Sequence, residues 1–161
     1  MIVAMLTDPD VLALIARYRA GVGLVDAALA GADEAALDRR PARDGAWCAR
    51  QVVHHLADSE TNSYVRIRRL LAEPLPTTIQ GYDESRWAEV LPYDGPIDVP
   101  LAVFRAVRAS SSRLLDSLVD ADLERTGIHS ESGTYSLREW LEIYADHAEA
   151  HAAQIREALA S

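Results

Sequence analysis

From Ser136 to about Ala160 the chain has the pattern of one amphipathic helix, and such a helix must bury one face against others. At about 100° per residue, Leu137, Trp140, Leu141, Tyr144, Ala148, Ile155 and Leu159 fall on one arc. Arg138, Glu139, Glu142, Asp146, Glu149, Arg156 and Glu157 fall on the opposite arc. Ser136, with Glu139 three residues later, is a capping-box signature for the helix start. His147 and His151 lie inside the apolar arc, one turn apart. Buried ring nitrogens need partners, and an ion shared by two imidazoles spaced i, i+4 satisfies one nitrogen on each. Core histidines bonded to backbone or water are the plainer alternative.

Three more long helices can be read upstream. The first starts at Thr7 or Asp8, with Pro9 just inside, and runs to about Ala30, weakened midway by Gly21 and Gly23. A short helical turn spans Asp33 to Arg39. The second long helix covers Cys48 to Glu73 and stops before Pro74 and Pro76. Residues 74–99 form a long connection rich in Pro, Gly and Asp, with one helical turn at Asp83 to Val90. The third long helix is expected over Asp98 to Val119, and Thr126 to Tyr135 has the turn chemistry of a small hairpin at Ser132-Gly133. The result is an all-α four-helix bundle with one long crossover, filling a single domain over residues 1–161.

Composition narrows the function classes. Of 161 residues, 49% are hydrophobic, mostly Ala and Leu with a single Phe, which favours helices over strands. A net charge of -9 argues against nucleic-acid binding, and the Arg66, Arg68 and Arg69 cluster reads as a solvated helix face. The lone Cys48 excludes an internal disulfide, and the MIVAMLTDPD start lacks the basic segment of a leader. No apolar run is long enough to span a bilayer. A soluble cytoplasmic protein that handles a small molecule is the expectation.

Two histidines rarely complete a metal site. The second helix offers His54 and His55, which flank its apolar stripe on opposite sides, so the wheel does not choose between them. His55 shares a line with Cys48, Ser59, Asn62 and Arg66, a candidate polar channel wall.

The run Trp47-Cys48-Ala49-Arg50-Gln51-Val52-Val53-His54-His55-Leu56-Ala57-Asp58-Ser59 resembles the signature of the DinB superfamily, in its YfiT-like branch. The resemblance continues through Asn62-Ser63-Tyr64, then Tyr82-Asp83-Glu84 with Trp87, and ends at His147, His151 and Ile155. It implies a bundle whose zinc or nickel ion is held by His55, His147 and His151. It further implies a metal-dependent hydrolase or a thiol S-transferase using bacillithiol or a related thiol, assembled as a homodimer. The sequence departs from the family pattern at Ala150 and Gln154, where extra histidines are common, at Glu60, and at Cys48, a weak cap in place of Ser or Thr.

Three neutral imidazoles leave an ion its full charge, which acidifies a bound water, as a hydrolase needs, or a bound thiol, as a transferase needs. The ligand set alone does not separate the two. Asp58 is a candidate to orient an imidazole or cap a buried network, and Glu60, on the apolar arc, is expected to meet the site or an arginine such as Arg105 or Arg108. Asn62 and Arg66 are candidates to bind the thiol cofactor, Arg66 through a carboxylate. Tyr82, Trp87 and Tyr93 of the connection are a candidate wall over the open position. Cys48 reads as a packing residue, and His129 as an exposed hairpin residue without a role. The competing class is a non-catalytic bundle braced by metal or by a histidine network, with a stress-response or small-molecule-binding role.

Overall fold

A computed structural model describes residues 5–161; residues 1–4, on which the leader reading partly rests, lie outside the described residues. The elements in chain order are α1 (Pro9–Leu29), α2 (Glu34–Leu37), α3 (Ala49–Ala72), β1 (Thr78–Ile79), α4 (Glu84–Val90) and α5 (Asp98–Leu115). A 3-10 turn (Asp120–Glu124), β2 (Thr126–His129), β3 (Gly133–Ser136) and α6 (Leu137–Leu159) follow. Helix starts are written locally. The Asp8 carboxylate caps α1, accepting from Asp10 N at 2.9 Å, with Pro9 at the first helical position. At α6, Ser136 Oγ accepts from Glu139 N at 3.1 Å while Glu139 Oε2 accepts from Ser136 N at 2.7 Å.

The four long helices form the bundle. α1 packs against α6 and α5, and α3 packs against the same two, so consecutive α1 and α3 sit on a diagonal. The crossover from α3 to α5 carries β1 and α4. Its β1 pairs in parallel with β2, which pairs antiparallel with β3, so the hairpin expected over Thr126 to Tyr135 forms and gains β1 as a third strand that the sequence reading lacked. The hairpin closes at Gly133, whose φ of +85° suits only a residue without a Cβ. α5 ends at Leu115 and not at Val119: Ser117 turns its backbone N–H and its hydroxyl onto the Leu114 carbonyl, and a local turn replaces the last helical residues.

Two apolar clusters fill the bundle. One gathers around Tyr18, Ile67, Leu70, Leu137 and Trp140, the other around Val25, Leu56, Phe104 and Ile155. Between them three of the four long helices contribute small or polar buried residues: Gly21 on α1, Ser59, Glu60 and Ser63 on α3, Arg108 and Ser111 on α5. Gly21 is required there, because a Cβ would lie 2.6 Å from both Ala148 Cβ and Arg108 Nη1. Arg108 lies with its guanidinium 4.1 Å from the Tyr18 ring centroid and donates to the Tyr144 carbonyl. This polar layer is where the histidines meet.

Candidate metal centre

α3 and α6 pack side by side and bring His55, His147 and His151 together, each with a nitrogen within 4.8 Å of the other two. His147 Nε2 lies 3.3 Å from His55 Nε2 and 3.2 Å from His151 Nε2. Its third neighbour is Ser59 Oγ, also at 3.3 Å. Burial depresses the basicity of all three rings: His55 falls to about 3, with the charge of His151 adding to the effect. His147 falls well below 6.5 for the same reasons, and His151 falls by burial against the opposing bond to Gln154. The rings are therefore neutral donors at neutral pH.

These residues fit a divalent ion. Gln154 Oε1 lies 2.8 Å from His151 Nδ1 and accepts its proton, which turns the lone pair of His151 Nε2 inward. With that proton fixed outward, neutral tautomers make at most one of the two Nε2 contacts of His147 a hydrogen bond. A cation satisfies all three nitrogens together. Metal–nitrogen bonds of 2.0–2.1 Å in a tetrahedron place ligand nitrogens about 3.3–3.4 Å apart. The two edges at His147, 3.3 and 3.2 Å, match that spacing. The Nδ1 atoms of His55 and His147 are buried without a hydrogen-bond partner, and Glu60 Oε1 stands 3.9 Å from the latter. Glu60 is fully buried, its carboxyl pushed up to about 7 by burial while Arg108, 3.4 Å away, opposes the rise. Glu60 thus meets both the site and Arg108, whereas Arg105 pairs with Asp26 on the surface.

His54 is separated from the cluster. It stacks on Tyr93 of the crossover at 5.3 Å, and its Nε2 bonds the Gly95 carbonyl at 3.1 Å. Asp58 does not orient an imidazole as expected; its carboxylate accepts from the Tyr93 hydroxyl at 2.5 Å, because the crossover folds over that face of α3. Asn62 is also corrected: its amide donates back to the Asp58 carbonyl at 2.9 Å within its own helix. Cys48 is buried at the α3 N-cap, where its backbone N–H donates to Gln51 Oε1 at 3.3 Å. The arginine cluster is not simply solvated, since Arg66 donates to Tyr144 Oη and the Gln80 carbonyl, and Arg69 to the Thr78 carbonyl.

Two cavities end on the histidines. One, of about 540 Å³, is lined by Ser59, Arg66, Tyr82, Glu84, His129, Tyr144 and His147 among others. The other, of about 280 Å³, is lined by Arg43 to Trp47, Glu84, Ser85, His151 and Gln154. His129, expected to be exposed, is half-buried in the first lining; its Nδ1 accepts from Glu131 N at 3.3 Å, a turn that only the folded hairpin makes. Trp47 lies against the His55 ring at a 5.0 Å centroid distance, and the Tyr82 ring packs tilted against Trp87 at 4.6 Å. Sequence reasoning assigned no role to Trp47, Glu84 or Tyr144. The Tyr82-Asp83-Glu84 motif was the one available signal for Glu84, and for Tyr144 its place one turn before His147.

The profile of the DinB superfamily matches residues 17–155. The chain belongs to the DinB superfamily. Within it, an Oceanobacillus iheyensis protein named "Putative metal-dependent hydrolase" is 42% identical over 113 residues, which are 70% of this chain and 65% of that one. A Bacillus mycoides protein of the same name is 42% identical over 123 residues, 76% of this chain and 70% of its own. The chain therefore spans about two thirds of the length of these relatives. Among solved structures, YfiT from Bacillus subtilis superposes with a TM-score of 0.84 at 31% identity, covering 95% of this chain and 87% of YfiT. That protein is described as "a probable metal-dependent hydrolase with an unusual four-helix bundle topology". As in that family member, a four-helix bundle is the scaffold here, and no helix among the described residues is long and apolar enough to cross a membrane.

Proposed function

We propose that this protein is a divalent-metal-dependent enzyme that joins a low-molecular-weight thiol of the bacillithiol kind to a small electrophile, with zinc or nickel held by His55, His147 and His151. The observation that carries the reading is the pair of cavities that reach the cluster, one at His147 and one at His151, with Glu84 lining both. Two openings onto one centre suit a reaction that joins two small molecules. The larger cavity, with Ser59, Arg66, Tyr82 and Tyr144, suits a polar thiol, and Arg66 in its lining is our candidate to take a carboxylate of it. The smaller one, walled mostly by polar residues, offers the Trp47 ring as one face on which an electrophile could rest. A bound ion would supply a Lewis acid that lets a neighbouring thiol lose its proton at neutral pH. The protein's own part is to keep three rings neutral, to fix His151 through Gln154, and to hold Glu60 behind His147. The proposal includes a homodimer, and a single-chain mass over a wide concentration range would contradict that part.

Hydrolysis is the second reading, favoured by the names of the relatives. The two are separated by incubating zinc- or nickel-loaded protein with a small thiol and an aryl halide, beside an ester panel. Metal-dependent thiol conjugation that His151→Ala abolishes is the expected result. Ester cleavage without any conjugation would overturn the transferase reading in favour of hydrolysis.

A further inference from the structure

Glu84 is the residue common to the linings of the two cavities, and it stands where they part, above the histidines. Its Oε2 lies 3.8 Å from His55 Nε2, with the carboxylate side chain 62% exposed and the ring 1% exposed. The other acids at this end of the crossover are committed elsewhere. Asp83 caps α4 by accepting from Arg86 N at 2.9 Å, and Glu89 pairs with Arg86 at 3.3 Å. Among the described residues no arginine pairs with Glu84 (the chain has no lysine), so the basic group beside it is an imidazole already turned toward the cluster. α4 itself buries none of its side chains, and the tilted Tyr82–Trp87 ring contact holds its first turn. A carboxylate on so lightly packed an element changes rotamer at little cost.

We propose that Glu84 is a fourth, exchangeable ligand to the ion, occupying the face left open by His55, His147 and His151 and yielding that face when a substrate enters either cavity. The inference rests on the reading that these three histidines hold an ion. The geometry is close to what ligation requires: oxygen and nitrogen ligands at about 2.0–2.2 Å in a tetrahedron lie about 3.4 Å apart, and Glu84 already stands 3.8 Å from the His55 nitrogen. A carboxylate also removes one unit of the charge that three neutral rings leave uncompensated. In that position it separates the two cavities, so displacing it joins them at the ion.

Cobalt(II) tests this without reference to activity. Metal-stripped wild type, Glu84→Gln and, as a control from the same cavity wall, Glu131→Gln are titrated with cobalt, following the visible bands and the affinity against a competing chelator. The expected result is at least tenfold weaker binding with shifted bands in Glu84→Gln, and wild-type behaviour in Glu131→Gln. Wild-type bands and affinity in Glu84→Gln would overturn Glu84 as a ligand and leave the three-histidine site standing. Weaker binding with unshifted bands would overturn it as well, reducing Glu84 to a distant charge. Folded wild type that takes up no cobalt would bring down the three-histidine reading and the inference with it.

Discussion

Gln154 shows how one residue sets the state of a neighbour. Its Oε1 accepts from His151 Nδ1 at 2.8 Å and so aims the other nitrogen at the cluster. Gln154→Ala should weaken zinc binding by about 10–100-fold while leaving the circular dichroism spectrum unchanged; equal affinity in a chelator competition would remove this role. Glu60 and Arg108, 0% and 1% exposed, depend on each other. Glu60→Ala strands the Arg108 guanidinium in the core and should cost roughly 3 kcal/mol in urea unfolding, and a loss under 1 kcal/mol would contradict the pairing. At this scale the sequence was legible where one helix carries the information, as for His147 and His151 on one arc. It was not legible where the partner comes from another element. Geometry on α3 alone left His54 and His55 equivalent; what separates them is Tyr93 and Gly95, brought over His54 by a crossover whose path no local pattern states. Asp58 was misplaced for the same reason, since its partner is again Tyr93.

At the scale of elements, α1 carries two glycines that local propensity treats alike and the fold treats in opposite ways. Gly21 lets α1 approach Ala148 and Arg108, whereas a Cβ on the exposed Gly23 meets nothing within 4 Å. Gly23→Ala should therefore stabilise the protein by up to about 1 kcal/mol. Gly21→Ala should destabilise it despite the same gain in propensity, because overpacking costs about 1–3 kcal/mol. Thermal melts of both variants check the pair, and stabilisation by Gly21→Ala would show that the polar layer is looser than described. Helix starts at Asp8 and Ser136 could be read from the chain because caps are local chemistry. β1 could not be, since two residues carry no period and exist as a strand only through pairing with β2.

For the whole molecule, the neutral histidines couple stability to pH. The unfolded chain protonates them below about 6.5, whereas in the fold His55 stays neutral down to about 3, so stability is lost as pH falls through that window. His147 and His151 act in the same direction. Glu60 opposes them between 4.5 and about 7, because the fold holds its proton after the unfolded chain has released it. Three rings outweigh one carboxyl. Metal-stripped protein should thus be more stable at pH 6.5 than at pH 5, by up to about 1.4 kcal/mol per pH unit for each uncompensated ring; greater stability at pH 5 in urea titrations would contradict the assignment of neutral rings. The same rings are ready to bind an ion without first losing protons. That is the central claim, and elemental analysis of untagged protein purified without chelators tests it most directly, beside His55→Ala and His151→Ala. About one equivalent of zinc or nickel in the wild type, lost in both variants, is the result expected from three converging nitrogens. A wild type that carries neither metal and takes up neither when offered would contradict it.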